Sequence, residues 1–168
     1  MNYWGMTEQL PVVVYVMLTR QKRPVEALQT KFIFIKRSKL GEHIPVNFQT
    51  VKVNLSSREQ TILDGLAMPQ YCLGLGEMAK ALSATKKELD WNKLISLARR
   101  EKSVVRRRLG YLLDLLKLKK HSSALKEKFI GFHWLDHSRQ KTSLGYSKKW
   151  GLKLNCSETE LLAFLEGY

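Results

Sequence analysis

The sequence predicts an α+β domain: a small β-sheet built from N-terminal and C-terminal strands, packed with a central helical block. Three observations lead there. Residues 10–54 carry short apolar runs rich in β-branched residues, residues 55–130 carry apolar residues at helical spacing behind good caps, and residues 131–168 return to strand patterns before a closing helix. Strands, then helices, then strands with a helix argue against a repeated βαβ fold. With 168 residues and 44% hydrophobic content, the chain is long enough for one real core, so we read residues 1–168 as a single domain.

Residues 1–9 precede the first strand candidate. Pro11-Val12-Val13-Val14-Tyr15-Val16-Met17-Leu18 is nearly continuous in apolar residues, which predicts a strand covered on both faces. Gln21-Lys22-Arg23-Pro24 supplies a basic turn. Lys31-Phe32-Ile33-Phe34-Ile35-Lys36 is a second strand, and Thr50-Val51-Lys52-Val53-Asn54 alternates as a half-buried third.

The helical block opens at Ser56-Ser57, where a hydroxyl can accept from a free backbone N–H and Glu59 or Gln60 completes a capping box. Ile62, Leu63 and Leu66 form the apolar face of this helix, over about residues 57–67. Pro69 ends it, having no N–H to donate. A second helix follows Gly74-x-Gly76 with Met78, Ala79 and Leu82 on one side, and Asp90 caps a third bearing Leu94, Ile95, Leu97 and Ala98. Val105, Leu109, Leu112, Leu113 and Leu116 make one face of a fourth. Ser122 or Ser123 is expected to start a short helix over Leu125 and Phe129. Beyond it come a strand at Phe132–Leu135, a loop at Asp136–Ser143 and a strand at Lys149–Asn155. The closing helix is capped by Ser157 and Glu160 and faced by Leu161, Leu162, Phe164 and Leu165.

Charge is the main functional signal. The net charge is +14, and residues 102–153 hold 14 Lys/Arg against 3 Asp/Glu. Such a surface attracts polyanions through its field and through counterion release, whatever their sequence. Arg99, Arg100, Lys102, Arg106, Arg107, Lys117, Lys119 and Lys120 are candidate phosphate contacts. Arg139, Lys148, Lys149 and Lys153 extend the surface along the C-terminal strands, with Tyr146 and Trp150 between them; Trp150 is expected in the core. The plain alternative is a solvated helix face.

Asp64 lies among apolar residues, so it needs a partner. Successive helix residues are about 100° apart, so Arg106, Arg107 and Arg108 cannot share a face. We expect Arg108 to turn inward and form a structural ion pair with Asp64, in which case Asp64→Asn lowers stability. His133 and His137 sit on a strand and loop with no third ligand near, which argues against zinc. Gly74-x-Gly76 lacks the rest of a dinucleotide fingerprint, and no nucleophile or Walker motif occurs. No catalytic residue, metal or cofactor is expected. Cys72 and Cys156 read as small buried hydrophobes. No apolar run reaches the roughly 20 residues of a membrane span, and no secretory leader is visible, so we expect a cytoplasmic protein.

Three blocks carry a family likeness: Arg58-Glu59-Gln60-Thr61-Ile62-Leu63-Asp64; the Pro69…Cys72…Gly74-x-Gly76-Glu77 turn; and Arg108-Leu109-Gly110-Tyr111-Leu112-Leu113. Tyr3-Trp4-Gly5-Met6-Thr7-Glu8-Gln9 and Trp150-Gly151-Leu152-Lys153-Leu154-Asn155 add to them. In order and spacing they resemble the C-terminal domain of the AbiEi family, antitoxins and transcriptional regulators of abortive-infection type IV toxin–antitoxin pairs used in phage defence. The resemblance implies a regulator that counters a nucleotidyltransferase toxin of the AbiEii kind without forming a stable complex with it, and that represses the shared operon when a winged helix is attached. Family members open with that winged helix-turn-helix, whereas this chain begins at what looks like the last turn of the helix after it. Expected partners are therefore DNA, or RNA, and the cognate toxin. The other classes are a small nuclease, which needs clustered acids, and a stand-alone domain whose basic face meets nucleic acid or an acidic protein.

Overall fold

In the computed structural model, which describes residues 1–8, 12–27, 29–48, 50–163 and 165, the buried core is mostly helical, with Leu135, Trp150 and Leu152 joining it from the C-terminal strands and turns. α1 (Arg58–Ala67) starts at Ser57, whose Oγ accepts from the Gln60 N–H at 3.2 Å, but the expected capping box is only half made: the Ser57 N–H donates to the Glu42 carbonyl and the Gln60 side chain accepts from the Glu42 N–H. Ile62, Leu63 and Leu66 are fully buried, and the helix stops before Pro69, which opens a 3₁₀ turn at Pro69–Tyr71. α2 (Leu75–Thr85) follows Gly74, whose φ of 93° suits glycine. α3 (Trp91–Arg100) is capped by Asp90, which accepts from the Lys93 N–H at 3.0 Å. α4 (Ser103–Leu115) buries Val105, Leu109, Leu112 and Leu113 against these helices. α5 (Lys119–Ser123) and α6 (Glu158–Ala163) complete the helices; Ser157 and Glu160 cap α6 reciprocally, the Ser157 N–H donating to Glu160 at 2.8 Å and the Glu160 N–H to Ser157 Oγ at 3.1 Å.

The domain is α+β, as expected, but its described strands form three small sheets. β1 (Val13–Leu18) pairs parallel with β3 (Thr30–Lys36), Val13 opposite Lys31 and Leu18 opposite Lys36, while β2 (Val25–Ala27) pairs antiparallel on the far side of β3. β4 (His43–Phe48) and β5 (Val51–Ser56) make a hairpin. β6 (His133–Trp134), β8 (Leu152–Leu154) and β7 (Gly145–Ser147) form the third sheet in that order. The described N-terminal and C-terminal strands share no sheet.

Three local expectations change. The run at β1 is not covered on both faces: none of its residues in Val13–Leu18 is buried, and among the described residues every buried hydrophobic one apart from Met6 lies at or beyond Ile62. Helices α1 to α4 cover one another's apolar faces, leaving this sheet half covered; Tyr15 leans on Tyr71 at 4.7 Å between centroids. α5 ends where a helix was expected to begin, because Ser122 and Ser123 turn their hydroxyls back to the Lys119 carbonyl. The last strand narrows to β8, since residues 148–151 turn the chain out of β7. Strands β2, β4 and β7 had no expectation at all. Pro45 in β4 is tolerated because a two-stranded hairpin leaves outer N–H groups unused. Gln9, Pro11 and Phe164 lie outside the described residues.

Candidate nucleic-acid interface

The arginine run 106–108 splits as helix geometry requires, yet two of its members turn inward, not one. Arg108 is 2% exposed. It donates to the carbonyls of Leu135 at 2.6 Å, Leu66 at 2.7 Å and Trp134 at 3.3 Å, and to Nδ1 of His137 at 3.0 Å. The expected Asp64–Arg108 ion pair does not form. Arg108 is drawn to the Leu66 carbonyl in the last turn of α1, where helix geometry leaves carbonyls without intrahelical donors. Asp64 instead accepts from Gln60 Nε2 at 3.1 Å and Ser56 Oγ at 3.3 Å, with Arg37 at 3.9 Å. Burial, only partly offset by Gln60 and Arg37, holds the Asp64 carboxyl above its usual range.

Arg107, expected to contact phosphate, is 3% exposed and unable to. It donates to the carbonyls of Gly131, Gly151 and Ile130, each at 2.8 Å, and to Ser103 Oγ at 2.9 Å, and stacks on Phe129. The pair fastens α4 to residues 129–137 and 151. Desolvation lowers the affinity of both guanidinium groups for their protons.

The remaining candidates divide by the elements that hold them. At the α3–α4 corner, Arg99, Arg100 and Lys102 are exposed; Arg99 donates to the Ala124 carbonyl at 2.9 Å, which keeps its charge unneutralised. Arg106 lies beside them, donating to the Arg99 carbonyl at 3.4 Å, but Glu127 takes its charge at 3.1 Å. Lys126 and Lys128, exposed on the segment that Arg99 touches, belong to this corner although sequence reasoning passed over them. Past the other end of α4, Lys117, Lys119 and Lys120 are exposed around the turn into α5, Lys117 with φ of 61°.

Asp114 governs the C-terminal end of α4. It accepts from Ser122 Oγ at 2.5 Å, Lys149 Nζ at 2.6 Å and Trp150 Nε1 at 2.7 Å. Burial alone would raise its pKa, yet the hydrogen bonds from Lys149, Ser122 and Trp150 together bring it below the usual carboxylate value. Lys149 is therefore neutralised, and Trp150 is buried as expected. Arg139 is likewise taken by Glu160 at 2.8 Å. Lys148 stays exposed. Among the described residues, Arg99, Arg100, Lys102, Lys117, Lys119, Lys120 and Lys148 are the candidates that reach solvent without a carboxylate partner.

Lys153 has a different setting. It stands between Trp134 and Tyr146 in one cross-strand row of the C-terminal sheet, with its ammonium 4.5 Å and 5.8 Å from the two ring centroids. Phe132 joins the row, edge-on to Tyr146 at 5.1 Å. Phe132 and Trp134 were missed as site residues; their alternation along one strand face was the available signal. Behind this sheet, Asn155 pins the following loop, accepting from the Asp136 N–H at 3.0 Å and donating to the carbonyls of Asp136 and Gln140.

Cys72 and Cys156 are free thiols, half-buried and buried, and burial pushes the Cys72 thiol up to about 11. Among the described residues no helix is long and apolar enough to cross a membrane. In comparisons with known proteins, no family model, no curated protein and no solved structure matches the chain.

Proposed function

We propose that this chain is a non-enzymatic regulator, the antitoxin domain of a type IV toxin–antitoxin pair that opposes a nucleotidyltransferase toxin and contacts nucleic acid through a basic surface. The toxin-opposing part rests on the sequence likeness to the AbiEi C-terminal domain. The nucleic-acid part rests on one observation: seven exposed arginines and lysines, free of carboxylates among the described residues, at the α3–α4 corner, the turn into α5 and Lys148. Cations on helix ends and turns read phosphate backbone and carry little base information, so the contact is sequence-independent.

Duplex DNA titrated across salt concentrations tests the surface. Affinity is expected to fall steeply with salt, and each change among Arg100→Ala, Lys102→Ala, Lys119→Ala and Lys120→Ala to reduce the log–log slope by about 1. A salt-independent affinity would exclude the surface. The toxin role is tested separately: co-expression with an AbiEii-type nucleotidyltransferase should restore growth, and failure against the toxin encoded beside this reading frame would remove that part of the proposal.

A further inference from the structure

The outer face of the C-terminal sheet carries aromatic rings where a soluble domain ordinarily places polar side chains. Phe132 is 53% exposed and Tyr146 55%, with Ile130 and Leu144 more open still. A contiguous exposed apolar patch marks a binding surface. The register explains how it arises. Trp134, Lys153 and Tyr146 stand directly opposite one another across β6, β8 and β7, while Leu152, one residue away, points into the core.

Two features of the row select its occupant. The first is Lys153 at its centre, since lysine is depleted from the cores of protein–protein interfaces, whereas a cation among aromatic rings suits a chain of phosphates threaded between stacked bases. The surrounding segment has the same sign, with 14 Lys/Arg against 3 Asp/Glu in residues 102–153, and Lys148 lies just beyond the end of β7. The second is ring geometry. Phe132 and Tyr146 meet edge to face, inclined at 76° to each other, so one flat stack cannot lie on both, and each ring takes at most one splayed base of its own. A duplex, with its bases stacked inside, has nothing to place there.

The geometry points to a platform for single-stranded RNA, with bases stacked on Phe132 and Tyr146 and Lys153 on the intervening phosphate. This rests on the nucleic-acid reading above and specifies the strand it takes. RNA is the occupant because unstacked bases are the standing condition of its loops and ends, while those of DNA are paired. The basic helix ends bring the strand in, and the aromatic row holds it.

Fluorescence anisotropy with a labelled oligouridine of about 12 nucleotides, the matching oligothymidine and a duplex of the same length, at roughly 50 mM salt, tests the assignment. Phe132→Ala and Tyr146→Ala are each expected to weaken oligouridine binding about 5-fold to 50-fold, as loss of one stacked base does, and Tyr146→Phe to leave it within about 2-fold. Duplex binding should be unchanged in all three variants. If the double variant Phe132→Ala/Tyr146→Ala binds oligouridine as the unaltered protein does while duplex binding keeps its salt dependence, the platform is wrong and the basic-surface reading stands. Absence of binding to all three probes overturns both. Tighter binding of oligothymidine than oligouridine overturns the RNA assignment. Sedimentation of the unaltered protein as a dimer that Tyr146→Ala dissociates would give the face to a second copy instead.

Discussion

Arg108 donates to the carbonyl oxygen of Leu66 across 2.7 Å, closing the end of α1 with a guanidinium that starts 42 residues later in the chain. Leu66 is in the last turn of α1, where carbonyls lack intrahelical donors and the helix dipole favours a cation. The same guanidinium reaches the carbonyls of Trp134 and Leu135, so one side chain locks the first helix to the C-terminal sheet. Arg108→Met is expected to lower the unfolding free energy by about 1–3 kcal/mol, because it strands buried carbonyls. Arg108→Lys should recover less than half of that, since an ammonium lacks the planar fork. Urea unfolding measures both; a loss under about 1 kcal/mol for the methionine variant would show that water satisfies these carbonyls.

His137 accepts from Arg108 through Nδ1, so its proton sits on Nε2. Loss of hydration first, and the Arg108 charge second, lower its pKa; His121 and His133 are lowered as well. The unfolded chain therefore takes up these protons at higher pH than the folded one, and stability falls as pH drops below about 6.5, levelling off below the folded-state values. Thermal unfolding followed between pH 8 and pH 5 should show the decline, and His137→Gln should make it shallower. A pH profile that His137→Gln leaves unchanged across that window would refute the arrangement.

Gly110 lies mid-helix, where alanine ordinarily gains about 1 kcal/mol. Here a Cβ would stand 2.2 Å from ring carbons of Trp150. Gly110→Ala is therefore expected to lose about 1–3 kcal/mol by overpacking and to shift the emission of Trp150 as its bond to Asp114 is displaced. A stabilised variant with unchanged emission would mean the ring moves aside freely.

Asp64 carries the expectation that the structure reverses. Its carboxyl is raised chiefly by burial, so the folded state holds the proton more tightly than the unfolded state, and stability declines as pH rises through the window above about 3.9. Asp64→Asn, which keeps an oxygen for Gln60, should leave the neutral-pH melting temperature unchanged or higher, with the gap closing toward pH 4. A clear drop at pH 7 would show that the Arg37 pair outweighs desolvation.

What the sequence made legible was whatever is written locally. The Ser57–Gln60, Asp90–Lys93 and Ser157–Glu160 caps and the stop at Pro69 appear where the residue types demand them, because each is settled within four positions of chain. Most partners of Arg107 and Arg108 were not legible: apart from Ser103 and His137, their acceptors are backbone carbonyls 23 to 44 residues away, and a carbonyl leaves no mark in the sequence. Charge counting named Arg139 and Lys149 without the carboxylates that cancel them, Glu160 and Asp114, which meet them only after folding. Strands β2 and β7 are three residues each, too short for alternation to register.

The placement of β1 and β3 outside the buried core has a kinetic consequence. A parallel pair closed through an intervening strand gains nothing until that loop has been ordered, and this pair adds no fully buried side chain when it forms. The N-terminal sheet should thus behave as its own cooperative opening unit. Its amide protons are expected to exchange through a low-energy excursion that leaves α1 to α4 intact, while those of Leu109 to Leu113 exchange only with global unfolding.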